Sequence, residues 1–206
     1  MSEPESLVRR CQAGDLQAFG DLFRQHRADV TRLVHRLLGG RGDIEDVVQE
    51  VFLQVHRSLK DFQFGSRFST WLYRVTVNVV LMQKRAARSR PVLVETPDGL
   101  SASDEALLPD DQAARRRRVE ALFRLLERLS DKKRVAFVLH DLEGLSPAEI
   151  GKIVAAPVLT VRTRLFYARR ELATLLREEP ALKALAAELE QRAPMTGPAD
   201  PHKEPA

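Results

Sequence analysis

A cluster of aromatic and cationic side chains between positions 62 and 90 has the residue types needed to hold nucleic acid. Aromatic residues make up only 6% of the chain, yet several fall close together here: Phe62, Phe64, Phe68, Trp71 and Tyr73. Cationic residues lie among and after them: Arg67, Arg74, Lys84, Arg85, Arg88 and Arg90. Aromatic rings stack on unpaired bases, and cations attract phosphates. The pattern indicates contact with single-stranded nucleic acid, although Phe68 and part of the Trp71 ring can instead belong to a core.

A second cationic segment, residues 157–172, has the layout of a helix that reads duplex DNA. One helical stripe is apolar: Val161, Leu165, Ala168 and Leu172. The opposite face is polar and aromatic: Thr163, Phe166, Tyr167 and Arg170, with Arg162 at its flank. Upstream, Ser146 to Glu149 predicts a capping box that opens a short helix, and only Ala155 and Ala156 separate the two helices. This spacing predicts a helix-turn-helix, with an ordinary antiparallel helix pair as the alternative.

The predicted third helix carries a polar face around one leucine. Its apolar stripe is centred on Val48, Val51 and Val55. The opposite face carries acids and amides: Asp46, Gln49, Glu50 and Leu53, with Arg57 beside them. A leucine in this position suits a protein-docking face, but a merely solvated face is the alternative because single exposed apolar residues are common. Asn78, at the edge of the fourth helix's apolar stripe, is similarly either a satisfied core amide or a base reader.

Catalytic and metal-binding patterns are missing from the sequence. The histidines have no metal-ligand spacing, there is no glycine-rich phosphate loop, and the acids of the third helix lack a paired nucleophile. Cys11 is the single cysteine, which excludes an internal disulfide and fits a reduced, cytoplasmic setting. We therefore expect no enzymatic activity, no metal and no cofactor. The first residues resemble no signal peptide, and no apolar run is long enough for membrane insertion.

Charge and periodicity divide the chain into four parts. Net charges of +5 for residues 1–90, −6 for 91–114, +8 for 115–177 and −3 for the remainder describe two basic lobes joined by an acidic connector. Apolar periodicity is helical almost everywhere, which predicts an all-α protein with small helical domains at 5–90 and 115–177. Residues 91–114 are expected to be a flexible linker, and 178–206 a partly disordered extension. Ser69 is the expected N-cap of the fourth helix.

Four stretches, in this order, resemble the bacterial extracytoplasmic-function (ECF) sigma factors of RNA polymerase. They are DIEDVVQEVF at 43–52, FSTWLYRVTVN at 68–78, DLEGLSPAEI at 141–150 and PVLTVRTRL at 157–165. The resemblance covers about residues 5–177 and implies two helical domains, sigma domains 2 and 4. It also implies a transcription factor that binds core RNA polymerase and starts transcription of an envelope or stress regulon, held inactive by an anti-sigma factor. Such a protein is cytoplasmic and lies on the nucleoid when bound to polymerase.

The resemblance further implies roles for individual residues. The clamp helices of the polymerase β′ subunit would bind Asp46, Gln49, Glu50 and Leu53, and the β flap is a further expected contact. It implies that the minus-ten element is opened by capture of an unstacked base, without nucleotide hydrolysis. The residues implied in this step are Phe62, Phe64, Arg67, Trp71, Asn78, Lys84 and Arg85. Among them, Trp71 would support the structure more than it would contact a base. The residues that would face the minus-thirty-five element are Arg162, Thr163, Phe166 and Tyr167, and Arg169 and Arg170 would contact phosphates.

Two positions depart from the family pattern, and two other functions remain open on the residues alone. Leu159 stands where the family commonly has glycine, and Tyr167 where a basic residue is frequent, so base preference can differ. One alternative is a dimeric helix-turn-helix regulator of a palindrome, for which no coiled-coil dimer interface is visible. The other is a helical scaffold without DNA contact, which the +8 lobe disfavours.

Overall fold

The structure, a computed structural model, describes residues 3–39, 43–89, 110–179 and 182. Every regular element within these ranges is helical, which confirms the all-α prediction. The first unit contains α1 (Glu3–Gln12), α2 (Leu16–Leu38), α3 (Ile44–Ser58) and α4 (Phe68–Ser89), with a 3-10 turn at Leu59–Asp61. The second unit contains α5 (Asp110–Arg128), α6 (Asp131–Phe137), α7 (Pro147–Val154) and α8 (Val158–Arg177), with a π-helical segment at Val138–Leu142.

Aspartate caps and apolar stripes build the first unit. The Asp15 carboxylate accepts the Ala18 N–H at 2.9 Å, which begins α2. Asp43 caps α3 in the same way and accepts the Asp46 N–H at 3.1 Å. Each helix contributes fully buried side chains to the core, among them Val8, Leu33, Val51 and Leu72. Burial of these stripes fixes which faces of α3 and α4 are left to solvent.

The helix-turn-helix of the second unit has the predicted capping box. Ser146 accepts the Glu149 N–H, and the Glu149 carboxylate accepts the Ser146 N–H at 2.9 Å. Ala155 ends α7 in the left-handed conformation with φ of 48°. The chain has no glycine in this turn, but Gly151 provides the space that the turn needs, because a Cβ there would lie 2.8 Å from the Ala156 carbonyl oxygen.

Three boundaries differ from the sequence-based expectation. Helix α4 begins at Phe68, so Ser69 lies inside it and is not its N-cap. Helix α5 begins at Asp110, so 110–114, assigned to the linker, are helical. Helix α8 continues beyond residue 172 to Arg177, because Ala173, Leu175 and Leu176 extend its buried stripe. Residues 91–109 of the expected linker, and all of 180–206 except Leu182, lie outside the described residues.

The two units meet along an interface that we call the seam, with Arg134 of α6 at its centre. Arg134 is only 3% exposed. Its guanidinium donates to the carbonyl oxygens of Leu126, Glu127 and Leu129 at the end of α5, and to that of Leu37 at the end of α2, the last at 3.1 Å. Both acceptor groups are helix C-termini, where carbonyls lack intrahelical partners and the helix dipole favours a cation. One side chain therefore satisfies helix ends in both units.

Further polar contacts extend the seam. Arg36 of α2 donates to the Leu142 carbonyl at 3.0 Å and pairs with Glu143 at 2.5 Å. The Tyr73 hydroxyl of α4 donates to the same Glu143 carboxylate at 3.3 Å. Burial, reinforced by the negative charge of Glu143, raises the pKa of Tyr73 to about 12. Gly39, with φ of 73°, lies so close to Glu127 that a Cβ at position 39 would overlap the Glu127 side chain.

Replacing the central arginine should strongly destabilise the full-length protein. In Arg134→Ala several buried carbonyl oxygens lose a charged donor, so we expect a loss of about 3 kcal/mol in the free energy of unfolding. Urea denaturation measures this loss. The control is Arg128→Ala, since Arg128 is 57% exposed and pairs with an exposed Glu178 at 3.3 Å. That change should cost under about 0.5 kcal/mol, and similar losses in the two variants would show that Arg134 is not a central contact.

A glycine in the helix-turn-helix turn should stabilise the protein. Ala155→Gly removes the steric cost of a left-handed alanine, which exceeds the added backbone entropy of glycine, so we expect a gain of about 0.5 kcal/mol. Thermal unfolding measures the shift. Ala156→Gly is the matched control because Ala156 is not among the residues with positive φ, and it should lower stability. A loss of stability in both variants would contradict this account of the turn.

Candidate nucleic-acid and protein interfaces

An aromatic cluster forms the floor beneath the loop between α3 and α4. The Phe62 ring lies 4.9 Å from that of Phe64, 6.0 Å from that of Phe68 and 5.3 Å from that of Trp71, measured between centroids. Phe62 is 5% exposed and Trp71 7%. The Gln12 side chain of α1 donates to the Phe62 carbonyl at 2.8 Å and also to that of Leu59, which anchors the base of the loop. The loop therefore stands on a fixed aromatic base.

The tip of this loop is polar and lies above a cavity of about 450 Å³. Phe64 has φ of 55°, and the Arg9 guanidinium lies 4.4 Å from its ring centroid. The cavity is lined by Asp61, Phe62, Gln63, Gly65, Ser66, Thr70, Trp71, Arg74 and Lys152. A polar rim over an aromatic floor can accept a flat polar group such as an unpaired base.

Helix α4 presents an exposed stripe beside the cavity. Asn78 is exposed, so the core-amide alternative is wrong and its amide is available to an external ligand. Arg74 and Arg85, at helical spacing before and after Asn78, are also exposed, as is Met82 at 52%. Arg74, which was not among the predicted site residues, is recognisable from its spacing of four from both Thr70 and Asn78. Helical spacing could not identify Lys152 as a cavity residue, because it belongs to the other unit.

The predicted minus-ten residues therefore divide by environment. Phe62 and Trp71 are buried and support the loop, while Phe64 is half-buried. Arg67, Asn78 and Arg85 are exposed. Lys84 is mostly buried and pairs with Asp131 of the second unit at 2.9 Å. Its exposed side-chain fraction is only 17%, so in this arrangement Lys84 faces the seam.

The face of α3 opposite the core has the predicted composition. Asp46 and Gln49 are exposed, and Glu50 is partly exposed. Leu53, among them, is 50% exposed, whereas the neighbouring Val51 and Val55 are fully buried. The structure thus presents an apolar side chain within an acidic and amide-bearing surface, which we call the α3 face (Asp46, Gln49, Glu50 and Leu53). Such a surface can bury its leucine against a partner with apolar and cationic groups.

Helix α8 presents the predicted reading face to solvent. Arg162 and Arg170 are exposed. The Thr163 hydroxyl donates to the Leu159 carbonyl at 3.0 Å, and the rings of Phe166 and Tyr167 make an edge contact at 5.3 Å. Leu159, at the start of the helix, is 67% exposed. These side chains form a surface that extends from the N-terminal turn of α8 to its middle, and the N-terminal part of a recognition helix is where base edges are contacted.

Arg169 does not belong to that surface, which corrects its predicted phosphate contact. Its guanidinium binds both carboxylate oxygens of Asp141, at 2.8 and 3.2 Å. The exposed side-chain fractions are 12% for Arg169 and 5% for Asp141. A bidentate pair this well shielded ties α8 to the π-helical segment that precedes α7. Arg170, the other residue assigned to phosphates, remains exposed.

Searches for other kinds of site give negative results within the part of the chain that the structure describes. There, no three or more His, Cys, Asp or Glu side chains come together in a way that could hold a metal ion. None of the described helices has the length and apolar character needed to cross a membrane.

Known proteins share this sequence pattern. The family model of Sigma-70 region 2 matches residues 22–90, and that of Sigma-70, region 4, matches residues 120–172. The ECF RNA polymerase sigma-E factor of Escherichia coli (strain K12) is 37% identical over 170 residues, which cover 79% of this chain and 88% of that protein. The sigma-E factor of Haemophilus influenzae is 34% identical over 172 residues, which cover 80% of this chain and 90% of that protein.

Solved structures share the fold. CnrH in complex with the cytosolic domain of CnrY aligns with a TM-score of 0.62 and 24% identity, over 84% of this chain and 96% of that chain. RpoE in complex with the anti-sigma factor NepR from Bartonella quintana aligns with a TM-score of 0.59 and 20% identity, over 78% and 98%. With both family models and the curated relatives in agreement, the chain belongs to the ECF RNA polymerase sigma factors of the sigma-70 family.

Proposed function

We propose that this protein binds core RNA polymerase, recognises a two-part promoter and opens the DNA at its downstream element. The observation that carries the proposal is the joint presence of the α3 face and of the loop with its aromatic base and cavity, to which the first unit contributes every lining residue except Lys152. A DNA-binding regulator that acts without polymerase has no use for the first surface. A scaffold has no use for the second.

The α3 face is the proposed contact with the clamp helices of the polymerase β′ subunit. Leu53 supplies the apolar area, and Asp46 and Glu50 supply negative charge that favours a cationic partner surface. The second unit is proposed to bind the β flap, so that the two units are held apart on the enzyme. On this proposal 5–90 and 110–177 act as separate modules, and the family models fall within these ranges.

The loop and α4 are the proposed minus-ten surface. An unstacked base enters the cavity above Phe62 and Trp71, while Arg67, Asn78 and Arg85 contact it or the adjacent backbone. Capture of that base keeps the strands apart, because re-pairing then requires its release. The sigma factor itself hydrolyses nothing and needs no cofactor.

The exposed face of α8 is the proposed minus-thirty-five surface. Arg162 and Thr163 lie near the helix N-terminus and read base edges, Phe166 and Tyr167 provide apolar contacts, and Arg170 binds phosphate. Arg169 has no part in this surface because it is held by Asp141.

Family membership supports a proposal about regulation and location. We propose that an anti-sigma factor holds the protein inactive in the cytoplasm until an envelope or stress signal releases it. The relative RpoE from Bartonella quintana binds such a factor, NepR.

Core-dependent transcription tests the function. The protein alone should bind promoter DNA weakly, and with core polymerase it should form open complexes, detected by permanganate reactivity of unpaired thymines and by run-off transcripts.

Asp46→Ala with Leu53→Ala should weaken core binding at least tenfold, through loss of a central apolar contact and a charge. Co-purification with core measures this effect.

The matched control removes the same residue types from another surface. Leu16 is 76% exposed on α2, and Asp21 lies on the same helix, so Leu16→Ala with Asp21→Ala should leave core binding unchanged. Equal core binding by the two double variants would remove the α3 face from the proposal. Transcription by core that is indifferent to the wild-type protein would overturn the function as a whole.

Changes on α8 should alter the preference for the upstream element. Arg162→Ala with Thr163→Ala removes direct base contacts, so discrimination among upstream sequences should fall by about 1–3 kcal/mol. Selection from a randomised upstream element by the reconstituted holoenzyme measures this. Arg177→Ala, near the other end of α8, is the control and should leave the preferred sequence intact. An unaltered preference in the double variant would place recognition elsewhere.

A further inference from the structure

Asp131 of the second unit lies between two cations of α4. Its carboxylate oxygens are 2.9 Å from the Lys84 ammonium and 3.0 Å from the Arg88 guanidinium. Burial by itself raises the pKa of this carboxyl, but its ion pairs with Lys84 and Arg88 outweigh the effect of burial and hold the pKa below its ordinary value. Asp131 is therefore ionised at neutral pH. An anion with two oxygens bridges two cations spaced by one helical turn.

This bridging geometry is also that of a DNA phosphate bound by neighbouring lysine and arginine side chains. Lys84 and Arg88 lie further along α4 than Asn78 and on either side of Arg85, two residues of the proposed minus-ten surface. A strand that follows α4 from the cavity would bring its phosphates to the Lys84 and Arg88 positions. Asp131 occupies these cations instead.

Helix α7 of the same unit lies beside the same surface. It packs against α4, and its Lys152 side chain lines the cavity beneath the loop. Helix α7 thus lies beside the proposed base pocket, while Asp131 occupies the cations beyond it. The ion pairs of Asp131 and the packing of α7 against α4 together bring the second unit onto the proposed minus-ten surface.

The arrangement is incompatible with simultaneous reading of both promoter elements. Elements centred near minus ten and minus thirty-five are about 25 base pairs apart, or about 85 Å at roughly 3.4 Å per base pair. Here α7, which immediately precedes the reading helix α8, packs against α4 of the first unit. The seam must therefore open before the protein engages a promoter.

We propose that Asp131 acts as an internal substitute for a DNA phosphate, which holds the second unit over the minus-ten surface and weakens DNA binding by the free protein. This inference rests on the proposed function, since it assigns Lys84 and Arg88 to phosphate binding. The anchor of the closed form is Arg134, three residues further along α6. Polymerase, by binding the two units at separate places, would release both the cations and the cavity.

The test measures DNA binding by the full-length protein without polymerase. The probe is a fluorescein-labelled single-stranded DNA of about 15 nucleotides and mixed sequence, followed by fluorescence anisotropy at low salt. Asp131→Asn should bind it about three- to tenfold more tightly than the wild type, because two partly shielded ion pairs no longer compete. Glu171→Gln makes the same change of charge, and Glu171 pairs with Lys133 inside the second unit at 2.5 Å. This control should differ from the wild type by less than about twofold.

A second comparison remains informative even if loss of Asp131 alters the stability of α6. Lys84→Gln should weaken DNA binding clearly in the Asp131→Asn background. In the wild-type background its effect should be small, because Lys84 is already occupied by Asp131. This non-additivity is specific for competition at one cation.

The outcomes separate the contact from the function. Equal DNA affinities of Asp131→Asn and Glu171→Gln, or equal effects of Lys84→Gln in both backgrounds, would overturn the internal phosphate substitute. Either result would leave core-dependent transcription by the wild-type protein unaffected. Failure of the wild type to direct core polymerase would instead count against the proposed function.

Discussion

The buried guanidinium of Arg134 determines how the two units meet. A charge removed from water is costly unless polar groups satisfy it, and here the acceptors are carbonyl oxygens at the ends of two helices. Among the residues that the structure describes, Leu37 is the acceptor from the first unit, so the arginine has its full set of partners only while the units touch. In the same arrangement α7 lies beside the cavity and Asp131 beside Lys84.

Local features of the chain could be predicted from the sequence because they depend on neighbouring residues. The capping box at Ser146 and Glu149 follows from a spacing of three, and the core faces of α3 and α8 follow from helical periodicity. The exposure of Leu53 followed from the same periodicity. Helix starts were less predictable: Ser69 has the chemistry of an N-cap, but α4 begins two residues earlier than that cap would place it, at the buried Phe68.

Contacts between distant residues could not be predicted in this way. The position of the cationic Arg169 on its helix suits a phosphate contact. Its partner Asp141, however, lies 28 residues away in the sequence and reaches it only after folding. Lys84 is similar: periodicity places it on an outer face of α4, and only the second unit determines that this face is covered. A single sequence gives the direction of a side chain on its helix, whereas the arrangement of units decides whether solvent, a carboxylate or a ligand meets it.

Gly39 makes the packing of the seam sensitive to substitution at a single position. The end of α2 can approach Glu127 closely because position 39 carries no side chain, and its left-handed conformation favours glycine. A methyl group at this position would displace the Glu127 side chain, although position 39 belongs to none of the proposed DNA or polymerase surfaces. A substitution here can therefore change how firmly the two units hold together while every side chain of those surfaces stays the same.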